Sequence, residues 1–255
     1  MMLGAFLAYT FISILGWNYW LGAAAAIGCM FVIGSLVDRV LLRPVLGQPQ
    51  FAIVMVTIGF GYIARSVAGM MPGWGTETYA ISTPFSSEGM QILPESMGFL
   101  VISQTDLSVI IATILFCGIL YTFFTYTKLG VAMQAASQNQ LASYYMGIPV
   151  KSVFSMIWGI SAAVAAAAGI LLAPTTLIDT SMGFLGLKAF PAAVLGGFGS
   201  IPGAVVGGII IGIIETLAGF YLPPGFKNVA AYIVLLIVLV VRPQGLFGEK
   251  TGKRV

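Results

Sequence analysis

The stretch GLKAFPAAVLGGFGSIPGAVVGGIIIGIIETL, residues 186–217, decides the fold of this chain. It consists of two apolar segments separated by the turn sequence GGFGSIPG, residues 196–203. As a helix, the first segment would be about 18 Å long, too short to cross a hydrocarbon core of about 30 Å. We therefore predict a re-entrant or broken helical hairpin near residues 184–221, with its turn inside protein or along a cavity. The alternative is a tight hairpin that only reverses the chain.

The composition of the whole chain indicates that lipid is its solvent. Of its 255 residues, 59% are hydrophobic and only 7% are charged, whereas a soluble domain carries about 25% charged residues. Backbone polar groups must all be paired in lipid, and the long apolar runs favour helices over a closed barrel. The predicted fold is an all-α, polytopic transmembrane helical bundle with about six full spans plus the broken hairpin.

Apolar segments recur along the whole sequence and give the predicted positions of the spans. Five of them are close to the roughly 20 residues that a spanning helix requires, while those beginning at Met2, Phe184 and Val229 are short. The segments cover residues 2–15, 19–37, 51–70, 107–126, 153–173, 184–197, 203–221 and 229–241.

The charged residues between these segments predict the orientation of the chain. Arg39 and Arg43 lie in one loop, residues 128–151 begin and end with lysine, and residues 242–255 form a basic tail. By the positive-inside rule, all three are expected to be cytoplasmic. Residues 71–106 contain acidic but no basic side chains, so we predict an extracytoplasmic loop; the acidic residues are Glu77, Glu88, Glu95 and Asp106.

The predicted cytoplasmic loop contains an unusually polar stretch, AMQAASQNQLASYYMGIPVKS, residues 132–152. It is expected to form a helix from Met133 to Gly147, where glycine and the following proline provide a stop signal. An apolar face recurs at helical spacing on this helix and is formed by Leu141, Tyr144, Tyr145 and Ile148. The residues alone leave two alternatives open: the face binds a soluble partner, or it packs against the transmembrane helices of the same chain.

Two charged residues lie inside apolar segments and mark a candidate translocation path. Lys188 and Glu215 either pair across the hairpin or reach separately to water, because an unpaired charge at membrane depth is costly. Interrupted helices often line substrate paths in transporters. The path candidates are Lys188, Gly196, Gly197, Gly199, Ser200 and Glu215.

Two sets of small residues are expected to allow close helix packing. The first is a set of glycines spaced four apart, Gly203, Gly207, Gly208 and Gly212. The second is a stripe formed by Gly159, Ala162, Ala163, Ala166 and Gly169.

Several function classes find no support in the sequence. The chain has no histidine, and its net charge of +3 is scattered, which argues against histidine metal sites, histidine-dependent catalysis and nucleic-acid binding. Cys29 and Cys117 lie in apolar runs and predict no disulfide. The Gly252-Lys253 pair does not complete a phosphate-binding loop, so any ATP must be hydrolysed by another chain. We expect no catalytic residues, metal or cofactor.

The polar stretch matches the pattern of a known family at Gly130, Ala132, Met133, Ala135, Asn139, Ser143, Gly147 and Ile148. Further matching motifs are DRVLLRPV (38–45), TIGFGYI (57–63), residues 186–217 and RPQGLFG (242–248). Together they cover nearly the whole chain. The sequence resembles the integral membrane permeases of branched-chain amino acid ABC transporters, without the family's first helix and the start of its second.

The resemblance implies a single permease domain, residues 1–255, that forms the translocation path for branched-chain or related amino acids. It implies a bacterial inner-membrane protein with a cytoplasmic C-terminus, and three kinds of protein partner: cytoplasmic ATP-binding subunits, a second permease subunit and an extracytoplasmic substrate-binding protein. In this family the polar stretch is the coupling helix that seats in the ATPase, which favours docking over internal packing. The implied coupling residues are Met133, Ala135, Asn139, Leu141, Tyr144, Tyr145, Gly147 and Ile148.

The sequence departs from the family at Gln134, where arginine is common, and at Ser143, where alanine is common. The alternative function is a self-sufficient secondary transporter or channel for a small polar solute, which would need titratable groups such as Glu215 within the membrane. A membrane-embedded enzyme lacks candidate pairs of nucleophile and base. The solute itself stays open among branched-chain amino acids, other amino acids, amides and urea.

Overall fold

The computed structural model describes residues 1–45, 48–75, 77–84, 89–91, 101–197, 199–223, 225–242 and 244–248. Eleven α-helices and one pair of short strands occur in these residues. The helices are α1 (Met2–Tyr9), α2 (Tyr19–Val37), α3 (Gln50–Met70), α4 (Gln104–Tyr126), α5 (Lys128–Gln138), α6 (Gln140–Tyr145), α7 (Val150–Thr176), α8 (Met182–Leu187), α9 (Ala189–Gly196), α10 (Ile201–Tyr221) and α11 (Phe226–Val241). The strands are β1 (Gly89–Gln91) and β2 (Val101–Ser103).

The helices confirm the predicted all-α, polytopic membrane bundle. Within the described residues, five apolar helices are long enough to cross a membrane: Tyr19–Val45, Phe51–Met70, Gln104–Tyr126, Val150–Thr176 and Ile201–Tyr221. Three apolar helices are shorter, at Met2–Ile14, Met182–Gly196 and Phe226–Val241. This is the division into five long and three short segments that the apolar runs predict. The first segment of the hairpin is broken at Lys188, between α8 and α9.

Residues Met1–Met182 form one compact unit, organised around α7. The small-residue stripe of α7 allows close helix packing, as predicted, and the helices that approach it are α1 and α2. A β-carbon on Gly34 of α2 would lie 2.5 Å from the carbonyl oxygen of Trp158, and one on Gly4 of α1 would lie 2.5 Å from Ala166. The three helices therefore approach one another more closely than larger residues would allow.

In the same unit, the described residues of the predicted extracytoplasmic loop include short elements. β1 and β2 pair in antiparallel fashion, with Gly89 opposite Ser103. Tyr79 forms an isolated antiparallel bridge with Ile178, which follows the end of α7. The side chain of Trp74 stacks on Phe6 of α1, with ring centroids 5.2 Å apart. Glu88 and Glu95 lie outside the described residues.

Residues Gly183–Val255 form the second compact unit. Its core is made by Leu195 of α9, Ile211 of α10 and Ala231 of α11. On α10, a β-carbon on Gly207 would collide with the carbonyl oxygen of Ala192, so this glycine allows the close packing of α9 and α10. Gly208 and Gly212 lie on open surface among the described residues.

Candidate functional site

The predicted coupling helix is two helices. The prediction of one continuous helix from Met133 to Gly147 is wrong, because the chain is extended at Asn139 (φ −151°, ψ 98°). Asn139 ends α5 and caps α6: its Oδ1 accepts a hydrogen bond from the backbone N–H of Ala142 at 3.0 Å. Asparagine side chains compete with the helix backbone for such hydrogen bonds and favour helix starts over helix interiors.

The second of these helices presents an exposed apolar patch, which consists of Leu141, Tyr144, Tyr145 and Met146. Their exposed fractions are 66%, 68%, 77% and 82%. The two tyrosine rings contact each other edge to face, with centroids 6.1 Å apart. The sequence pattern missed Met146, although it lies in the same apolar run. On the side of α4, exposed polar residues precede the patch, among them Gln134, Ser137 and Gln138.

Other predicted coupling residues face the chain itself. Met133 is buried with Ala136 and Val153 in a small apolar cluster, and Ile148 packs against this cluster from the side. Ala135 is half-buried, and Gly147 follows α6 with a φ of 81°. The structure therefore divides the predicted face into two parts. Leu141, Tyr144 and Tyr145 are exposed, while Ile148 packs internally with the beginning of α7.

Lys188 and Glu215 pair across the hairpin, which is the first of the two predicted alternatives. The Lys188 ammonium donates to Glu215 Oε2 at 3.2 Å and to Asn228 Oδ1 at 3.1 Å. The pair is largely removed from solvent, with side-chain exposures of 22% and 15%. Glu215 Oε1 is buried and has no hydrogen-bond partner among the described residues. Asn228 was missed because an asparagine near the start of an apolar segment has no distinctive pattern.

The glycine-rich turn of the hairpin is covered by the chain after α11. The backbone N–H of Leu246 donates to the carbonyl oxygen of Leu195 at 2.9 Å, and that of Phe247 donates to Gly196 at 3.0 Å. A β-carbon on Gly197 would lie against the backbone of Gly248. The motifs GGFGSIPG and RPQGLFG therefore contact each other in the fold.

The remaining path candidates lie at the beginning of α10. Ser200 is its N-cap, and its hydroxyl oxygen accepts a hydrogen bond from the Gly203 N–H at 3.1 Å. Gly199 has a φ of 90° and no close neighbour among the described residues. Phe198, between Gly197 and Gly199, lies outside the described residues. The structure thus assigns local backbone roles to Gly196, Gly197 and Ser200. Among the path candidates that it describes, it brings the two charged ones, Lys188 and Glu215, together.

Comparison with known proteins identifies relatives along the full chain. A family model described as a branched-chain amino acid transport system permease component matches residues 1–240. The high-affinity branched-chain amino acid transport system permease protein LivH of Escherichia coli K12 is 32% identical, over 100% of this chain and 85% of the relative. The high-affinity branched-chain amino acid transport system permease protein BraD of Pseudomonas aeruginosa is also 32% identical, over 98% of this chain and 83% of the relative. No solved structure matches the chain significantly.

Proposed function

Because this chain belongs to the family of branched-chain amino acid transport permease components, we propose that it forms the translocation path of an importer driven by separate ATP-binding subunits. The solute is a branched-chain or closely related amino acid, as in the names of its relatives. A second permease subunit completes the path, and an extracytoplasmic binding protein delivers the solute. The membrane is the bacterial inner membrane.

The exposed apolar patch is the observation that supports docking of an ATP-binding subunit. Apolar side chains that face lipid need no further partner, but this patch lies on a short helix between two spans and beside polar residues. A cluster of exposed aromatic, leucine and methionine side chains outside the membrane is typical of a protein interface. Ile148, which follows this helix, packs against the cluster of Met133 on α5 and Val153 on α7, so force applied at the patch would reach a spanning helix.

The proposal includes an orientation in which residues 128–151 and 242–255 are cytoplasmic and residues 71–106 are extracytoplasmic. The basic residues of the first two segments and the acidic residues of the third support it. We further propose that residues 1–255 act as a single permease domain composed of the two compact units. A separate ATPase is consistent with a family of transport permeases, and the proposal assigns this chain no enzymatic step.

Copurification of an ATP-binding subunit tests the proposal. In membranes from cells that express the whole transporter, replacing Tyr144 and Tyr145 together by alanine should weaken ATPase binding at least about thirtyfold, because aromatic anchors commonly contribute about 2 kcal/mol or more. Tyr126→Ala is the matched control, since Tyr126 is also exposed, at the end of α4, but lies outside the patch. Full ATPase binding by the double variant, with normal membrane insertion, would refute docking at this patch.

A further inference from the structure

A buried aspartate connects the end of α2 to the first turns of α7. Asp38 is 3% exposed, and it is the only charged residue that is buried in the described part of the chain. It follows α2 at the point where the helix widens into a π-helical turn, Asp38–Leu42. Its Oδ2 accepts a hydrogen bond from the Ser155 hydroxyl at 2.6 Å and one from Arg43 Nε at 3.3 Å. Such π-helical turns often occur at functional positions.

Arg43 adds two further contacts to the same helix. Its Nη2 donates to the carbonyl oxygen of Lys151 at 3.0 Å and to the hydroxyl oxygen of Ser155 at 3.1 Å. Both acceptors lie in the first two turns of α7, which begins at Val150. The planar guanidinium group of arginine suits such simultaneous contacts, which a lysine would not reproduce. We call Asp38, Arg43 and Ser155 the clamp.

The two helices that the clamp joins, α2 and α7, are also packed closely about one helical turn from the clamp residues. A β-carbon on Gly34 would lie 2.5 Å from the Trp158 carbonyl oxygen, and one on Gly159 would lie 2.5 Å from Ser35 Oγ. Close-packed surfaces of this kind resist sliding, because small shifts produce steric overlap. The clamp adds directional polar contacts at the end of this interface, where helix ends otherwise separate most easily.

The clamp also lies directly beyond the segment that carries the exposed apolar patch. Val153 of α7 is buried against Met133 and Ala136 of α5, two residues before Ser155. Ile148 follows the patch in sequence and packs against this cluster. The patch is therefore connected through Ile148 and the cluster to the start of α7, and through the clamp to α2.

We propose that the clamp makes α2 and α7 move as one body when an ATP-binding subunit displaces the docking helices. Without it, the start of α7 would separate from the end of α2 when the docking helices move, and ATP hydrolysis would continue with less opening of the path. Asp38, Arg43 and Ser155 are positioning residues that act through the two helices. This inference rests on the proposed function, because it requires an ATPase that docks at the patch.

The ratio of solute transported to ATP hydrolysed tests the clamp. The complete transporter is reconstituted in lipid vesicles with its binding protein, with radiolabelled leucine as the probe. Asp38→Asn and Ser155→Ala should retain ATP hydrolysis and ATPase copurification while leucine uptake per ATP falls about 2- to 30-fold, the usual range for residues that transmit coupling. Ser155→Thr keeps the hydroxyl group and should restore the ratio.

Ser152→Ala is the matched control, because Ser152 lies in the first turn of α7 with an exposed side chain. An unchanged ratio in Ser155→Ala, with uptake and hydrolysis lowered together or not at all, would overturn the proposal. Ser155→Ala decides the matter if Asp38→Asn does not accumulate, because it removes a single hydroxyl group from a half-buried helical position. Failure of the proposed function is seen separately, as absence of ATPase copurification or leucine uptake in the unmodified transporter.

Discussion

The ammonium group of Lys188 lies 3.2 Å from the carboxylate of Glu215, and the two residues join the broken first segment of the hairpin to α10. Lys188 has a second partner in Asn228 of α11, whereas Glu215 has one carboxylate oxygen without a partner among the described residues. Lys188 therefore keeps one hydrogen-bond partner if Glu215 is lost, whereas Glu215 keeps none among the described residues if Lys188 is lost. This asymmetry predicts which single substitution does more damage.

Removing Lys188 should destabilise the protein more than removing the charge of Glu215. Lys188→Met leaves the Glu215 carboxylate, which is largely removed from solvent, without its cation; for a fully buried pair, removal of one partner costs about 3–5 kcal/mol. Glu215→Gln leaves Lys188 with the Asn228 oxygen and an amide oxygen at position 215, so its cost should be smaller. The double variant should be more stable than Lys188→Met alone. Thermal unfolding of the purified protein in detergent measures all three.

Lys227→Met is the control for this cycle, because Lys227 is an exposed lysine near the start of α11. It should change the unfolding temperature little, as expected for surface substitutions. Strictly additive losses from the two single substitutions would contradict coupling between Lys188 and Glu215.

Much of the fold was predictable because it depends on the length and the total hydropathy of long segments. The lengths of the apolar runs distinguish the five long helices from the three short ones, and no particular residue decides the outcome. The cost of isolated charges in lipid gave the pairing of Lys188 with Glu215 as one expectation. It was nevertheless one of two alternatives, because sequence alone does not give the depth of either side chain.

The features that could not be predicted from the sequence depend mainly on contacts between residues far apart in the chain. The bond from Leu246 to Leu195 uses backbone atoms only, so the side chains of these residues give no indication of it. In the sequence, nothing distinguishes Asp38 from an ordinary loop residue, because its hydrogen-bond partner Ser155 lies far away in the chain, on α7. The break at Asn139 has a local cause, but asparagine also occurs inside helices, and only the folded chain shows which role applies.

The cap at Asn139 should contribute to ATPase binding by keeping α6 folded. Asn139→Ala removes the acceptor of the Ala142 N–H bond, and loss of such a cap costs about 1 kcal/mol. If α6 must be helical to bind, affinity for the ATP-binding subunit should fall about fivefold. Asn139→Ser retains a capping oxygen and should bind nearly normally. Equal affinities of the alanine and serine variants, measured with the chain in nanodiscs, would count against this role.

The proposed orientation can be measured with single cysteines in a background in which Cys29 and Cys117 are replaced by alanine. Ser82 lies in the acidic loop and Ser137 lies in α5, and both are exposed. A membrane-impermeant maleimide should label Ser82→Cys in intact cells, provided that the outer membrane is permeabilised. It should label Ser137→Cys only after the inner membrane is opened. The opposite pattern would reverse the assigned sides of the membrane.

Gly245 should be required for the contact between the tail and the glycine-rich turn. Its φ is 74°, where an L-residue other than glycine is disfavoured by roughly 1–2 kcal/mol. A β-carbon there would also lie 2.5 Å from the Val194 carbonyl oxygen. Gly245→Ala should therefore displace the tail and break the hydrogen bonds from Leu246 and Phe247, so hydrogen exchange of these two amides should accelerate. Gly225→Ala is the control, because Gly225 has a φ of 104° but no neighbour within 4 Å among the described residues; fast exchange in both variants would mean that backbone strain alone, and not the contact with α9, loosens this unit.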